Sequence, residues 1–88
     1  MRLDKYLAAI RILKSRSLAK TAADEGMIYL NGTKAKASSV IRPEDIIEID
    51  IPRFYKKLKV LGTPAKNMKR SGSSSFYQVL EERKKELI

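Results

Sequence analysis

Apolar positions recur at helical spacing from the first residues of the chain. Leu3, Leu7 and Ile10 form one stripe, with Tyr6 and Leu13 beside it, and this predicts an opening helix. Asp4 falls in the first turn, where the positive end of the helix dipole favours an acid. Lys14-Ser15-Arg16-Ser17 interrupts the pattern. Either serine can cap a second helix by accepting a hydrogen bond from an unpaired backbone N–H. That helix runs through Leu18, Ala19, Ala22 and Ala23 and ends at Gly26, because glycine takes up the left-handed conformation past a helix at little cost. The small alanines let the two helices approach closely, as a tight helix–turn–helix pair.

The period then drops to two. Short strands are expected over residues 27–30 and about 34–37, joined at Asn31-Gly32, the dipeptide that best tolerates positive φ at both turn positions. Arg42-Pro43-Glu44-Asp45 reads as another turn, with proline presetting φ. Ile47, Ile49 and Ile51 alternate with Glu48 and Asp50 until Pro52, the mark of a half-buried strand. A last strand over 55–61 points Leu58 and Val60 inward and Lys57 and Lys59 outward. The order predicts an α+β domain over residues 1–61, two packed helices on a small antiparallel sheet.

The rest reads differently. Residues 62–75, made largely of Gly, Ser, Pro, Thr, Asn and Lys, bury no core and are expected to form a flexible basic linker. Ser75 and Gln78 have capping-box spacing. Phe76, Val79, Leu80 and Leu87 then line one side of a short C-terminal helix over 76–88. Such a helix is marginal alone, so it must dock on the domain or on a partner.

Composition narrows the chemistry. The 88 residues carry 19 Lys plus Arg against 10 Asp plus Glu, for a formal charge of +9, and contain neither Cys nor His. A disulfide scaffold and thiolate metal sites are excluded, and the usual general base and commonest metal ligand are missing. No apolar run approaches the roughly 20 residues of a membrane span. The expectation is a small, soluble, cytoplasmic monomer, away from membranes, whose partner is a polyanion. The charge also comes in blocks. Residues 1–36 carry a net +5, 37–52 a net −3, 53–70 a net +7 and 71–88 none. Segregation of this kind implies a positive face and a neutral or negative back.

Within the first block, Arg16 and Lys20 stand four apart and Arg11 and Lys14 three apart, so each pair shares a helix face. The short turn is expected to gather all four, beside the backbone N–H groups around Ser15 and Ser17 that favour an anion. Arginine adds a planar fork for phosphate. Asp4 can orient Arg2 or Lys5, or serve simply as an N-terminal helix acid. Lys34 and Lys36 alternate to one side of the hairpin and extend the patch if that side faces the helices. Tyr6, Tyr29 and Tyr55 are either base-stacking platforms or core-edge residues. No nucleophile is paired with a base, so the chain reads as a binding module and not an enzyme, with no cofactor and no metal.

Arg2-Leu3-Asp4-Lys5-Tyr6-Leu7, then Arg11, Arg16-Ser17-Leu18-Ala19, Gly26 and Leu30-Asn31-Gly32 followed by Lys34 resemble the S4 RNA-binding domain. The resemblance extends through Pro43-Glu44-Asp45-Ile46-Ile47, although many members have glycine where Glu44 stands. A single such domain with a short tail is most similar to the stand-alone bacterial S4 proteins of ribosome-associated quality control. The related heat-shock S4 protein is longer at its basic C-terminus. The resemblance implies binding to large-subunit ribosomal RNA and to tRNA, steadying peptidyl-tRNA on an obstructed subunit while a tailing partner factor adds alanine. It implies RNA-facing roles for Arg2, Asp4, Arg11, Arg16, Lys20 and Lys34, and the wider candidate set adds Lys5, Lys14, Ser17, Asn31 and Lys36. Two other readings stay open: an RNA-binding factor in ribosome assembly or tRNA binding, and a protein-interaction module using the C-terminal helix.

Overall fold

A computed structural model describes residues 1–62 and 76–85. The elements run α1 (Leu3–Ala9), α2 (Arg16–Asp24), β1 (Ile28–Leu30), β2 (Thr33–Lys34), β3 (Ile46–Ile51), β4 (Phe54–Val60) and β5 (Tyr77–Lys84). The strands form one sheet in the order β2-β1-β3-β4-β5, and every neighbouring pair is antiparallel.

The helices form where the periodicity places them. Leu3, Tyr6, Leu7 and Ile10 of the first stripe are buried. The opening amides of α1, which no preceding turn can satisfy, bond to a distant loop: Leu3 N donates to Ser39 O at 2.8 Å and Asp4 N to Ala37 O at 3.1 Å. Of the two capping candidates it is Ser15 that begins α2, its hydroxyl accepting from Leu18 N at 3.2 Å. Ala19, Ala22 and Ala23 turn inward and are buried. Gly26 follows with φ +74, and the aliphatic chain of Lys34 packs where a β-carbon there would sit.

The hairpin turn is as expected, with Asn31 at φ 52 and Gly32 at φ 84 and Leu30 paired to Thr33. Its second strand is earlier and shorter than the 34–37 reading. Beyond Lys34 the chain leaves the sheet, because Ala35 and Ala37 are buried and the 37–39 carbonyls are drawn to the start of α1. In β3, Ile47 and Ile49 face the core. Ile28 lies opposite Ile49 and Leu58 opposite Ile47, so one apolar sheet face meets both helices. Burying such side chains is worth about 1.5–3 kcal/mol each.

The C-terminal segment corrects the expectation. The apolar stripe predicts a helix over 76–88, but Tyr77–Lys84 is a strand on the open edge of β4. The stripe that suggests a helix stays outside: Val79 and Leu80 are 42% and 45% exposed. Edge pairing supplies ladder partners for the unpaired N–H and C=O groups of β4, and an isolated helix of this length has no comparable gain. Leu58 pairs with Val79 and Lys57 with Glu81, with a register shift between them. Leu80 is the extra residue of that bulge. Opposite charges face across the new pair, as Lys56 Nζ and Glu82 Oε2 at 2.8 Å, a favourable cross-strand arrangement. The expected linker over 62–75 lies, from residue 63 onward, outside the described residues, as do Ser75 of the capping-box reading and Leu87 of the apolar stripe.

Candidate nucleic-acid interface

The N-termini of α1 and α2 meet over one carboxylate. Asp4 is the one charged residue among the buried ones described. Its Oδ1 accepts from Lys5 N at 2.7 Å, Arg2 Nη2 reaches Oδ2 at 3.2 Å, and Arg16 Nη2 lies 3.4 Å from both oxygens. The Asp4 side chain is 5% exposed, whereas Arg2 and Arg16 are 50% and 51% exposed. The acid is therefore a buried post, and two guanidiniums stand on it facing solvent. Each engages Asp4 through Nη2, which leaves further N–H donors of the fork directed elsewhere. Burial pushes the Asp4 carboxyl up. The Lys5 amide and the charges of Arg16 and Arg2 more than offset it, so the group is held below the usual carboxylate range. Of the two roles open to Asp4, the geometry selects orientation, and the residues oriented are Arg2 and Arg16.

Around this pair, Lys5, Ser17, Lys20 and Lys36 are exposed. Lys20 continues the Arg16 face one turn along α2 and pairs with Asp24 at 3.1 Å, an exposed i,i+4 contact worth only about 0.3–0.5 kcal/mol. Lys34 packs on Gly26, just past the far end of α2, whose nine residues put that end about 12 Å from Arg16 at 1.5 Å per residue. The four cations expected together are divided. Arg11 and Lys14 line a groove with Leu18 and Ala22, whereas Arg16 and Lys20 project from the other side of α2. Arg11 itself sits at φ 62 just past α1.

Asn31 spends its side chain inside the fold: Nδ2 donates to Asp45 Oδ1 at 3.2 Å and Oδ1 accepts from Ile46 N at 2.9 Å. It fixes the hairpin to β3. Tyr6 is fully buried and belongs to the core. Tyr55 donates to Glu48 Oε2 at 2.6 Å, and Arg83 lies 4.6 Å from its ring centroid. The bond to Glu48 and then burial push its hydroxyl up to about 12. Tyr29 is half-buried. Among the described residues no group of three acidic side chains is placed to hold a metal.

Sequence reasoning misses Arg53, Lys56, Arg83 and Lys84 as one cluster, which the groove brings together. Only the strand pairing of the tail unites them, and the sole sequence signal is the base-rich run from residue 53.

Known proteins share this fold. A family model described as the S4 domain matches residues 1–47. The chain is 40% identical over 86 residues to the RQC P-site tRNA stabilizing factor of Bacillus subtilis, covering 96% of each chain. The structure of Vibrio cholerae heat shock protein 15 superposes with a TM-score of 0.79 at 26% identity, covering 90% of this chain and 80% of that one. The solution structure of the hypothetical protein HP1423 gives 0.76 at 30% identity, covering 94% of this chain and 100% of that one. The chain belongs to the S4 domain family and groups there with the proteins named RQC P-site tRNA stabilizing factor.

Proposed function

We propose that this protein is a cytoplasmic, non-catalytic RNA-binding factor of ribosome-associated quality control. It binds large-subunit ribosomal RNA and tRNA, and it steadies peptidyl-tRNA on an obstructed large subunit during alanine tailing by a partner factor. The observation that carries this reading is the pair of half-exposed guanidiniums held on buried Asp4. Two planar forks fixed side by side suit neighbouring phosphates of a folded RNA, and RNA helices are recognised mainly through shape and backbone. Lys5, Ser17, Lys20, Lys34 and Lys36 add contacts along the same helices and hairpin, while Asp4 and Asn31 act from beneath by holding Arg2, Arg16 and the turn. The names of the relatives supply the pathway.

The test is cosedimentation of an Arg16→Ala variant with large subunits carrying peptidyl-tRNA, its fold checked by amide spectra. Arg16 is half-exposed and leaves the core intact, so the variant stays folded and its binding falls. Cosedimentation equal to that of the unsubstituted protein refutes the site.

A further inference from the structure

Away from the Asp4 clamp, a groove of about 970 Å³ runs between the α1–α2 connection and the β3–β4 end of the sheet. Its apolar lining is mainly aliphatic: Ile12, Leu13, Leu18, Met27 and Ile51, with Phe54 as the single aromatic among the lining residues. Its cations are Arg11, Lys14, Arg53, Lys56, Arg83 and Lys84, against only Glu25 and Glu82. Glu82 is already paired to Lys56. Leu18 is 50% exposed.

We propose that this groove docks an acidic amphipathic helical segment of a partner protein, its aliphatic stripe on the groove floor and its carboxylates on the cationic rim. Charge complementarity sets the sign of the occupant, and the floor sets its class. A phosphate backbone needs donors along its whole path, which an aliphatic floor withholds. Stacked bases need open aromatic faces, and the Lys56 ammonium already lies 4.9 Å from the Phe54 centroid. A helix with apolar anchors at i, i+3, i+4 and i+7 satisfies both floor and rim.

The experiment uses the full chain, methyl-labelled, and three probes: a helical peptide of about fourteen residues with a Leu/Ile stripe flanked by Glu, its scrambled counterpart of equal charge, and a single-stranded oligouridine. The helical peptide is expected to shift the methyls of Ile12, Leu18 and Ile51. Leu18→Gln is expected to weaken it about tenfold, as for a central interface anchor, and Arg11→Gly to weaken it with the fold retained. Arg16→Ala is expected to leave peptide binding within about twofold, as it lies outside the groove. Equal binding of the scrambled peptide, tighter occupation of the same methyls by oligouridine, or no shift at millimolar peptide overturns the proposal. None of these outcomes bears on the Asp4 clamp, which the large-subunit experiment tests separately.

Discussion

The Tyr6 hydroxyl donates a 2.6 Å hydrogen bond to the Phe76 carbonyl, joining α1 to the start of β5 across 70 positions of sequence. The same carbonyl accepts from Leu61 N at 2.9 Å and from Gly62 N at 3.2 Å. One backbone oxygen thus gathers the first helix, the end of β4 and the entry to the last strand. Burial pushes the Tyr6 hydroxyl above its ordinary range, so it remains a neutral donor throughout the physiological range.

Tyr6→Phe keeps the buried ring and removes only that donor. The expected cost is about 0.5–1.5 kcal/mol, that of one intramolecular hydrogen bond. Amide exchange in Tyr77–Lys84 is expected to accelerate more than exchange in β3, because β5 is the edge strand that the bond anchors. Affinity for large subunits stays unchanged, since Tyr6 faces the core.

Asp4→Asn separates positioning from net charge. The substitution raises the formal charge by one, which by long-range attraction alone tightens RNA binding. Loss of the clamp frees Arg2 and Arg16 to wander. Weaker RNA binding is therefore expected despite the added charge, together with a loss of about 1–3 kcal/mol of folding stability from breaking a buried charged contact. The two readouts are a filter-binding titration and urea denaturation.

The same carboxyl makes stability depend on pH in a defined direction. Its folded pKa is held below the unfolded 3.8, so its stabilisation is complete above that value and fades as pH falls through the folded one. Denaturation midpoints of the unsubstituted and Asp4→Asn proteins should differ at about pH 6, and the difference should narrow only as pH falls below 3.8.

Glu44 occupies φ +78, the region in which a β-carbon is disfavoured and glycine is at home. Its carboxylate also lies 2.8 Å from Lys59 Nζ, an exposed pair of small value. Comparing Glu44→Gly with Glu44→Ala cancels the ion pair. The glycine variant is expected to be the more stable by about 1 kcal/mol in thermal melts.

Salt titration reads the contact count. With some four to six phosphates neutralised, log affinity is expected to fall with log salt at about −0.7 to −0.9 per contact. Arg16→Ala should flatten that slope by about one contact. An unchanged slope places Arg16 away from phosphate.

Much of the molecule is legible in its amino-acid order because it depends on near neighbours. A serine cap for α2, at Ser15 or Ser17, the stop at Gly26 and the Asn31-Gly32 turn are each decided within four residues by backbone donors and φ preference. The alternation of Ile47, Ile49 and Ile51 likewise declares its buried face. The segment after residue 75 is not legible in this way. Phe76, Val79 and Leu80 have helical spacing, and only the vacant edge of β4, some twenty residues earlier in the chain, turns them into a strand. The candidate site divides along the same line. Arg2, Asp4 and Arg16 are identifiable as chemistry, but the burial of Asp4 and its hold on Arg16 twelve positions away come from bringing the start of α2 against the start of α1, whose amides bond the 37–39 loop.

By itself, then, the sequence determined the helix pair, the hairpin turn, the half-buried strand and a surplus of cations in blocks. Periodicity, capping and turn chemistry are local, and charge is additive. Only the tertiary structure decided that the tail is a fifth strand, that Arg2 and Arg16 share one buried acid, and that Arg11 and Lys14 face a different groove from Arg16. Those outcomes turn on which distant groups remain unpaired when the core closes, and an unpaired edge, amide or buried carboxylate is satisfied by whatever the fold brings within reach.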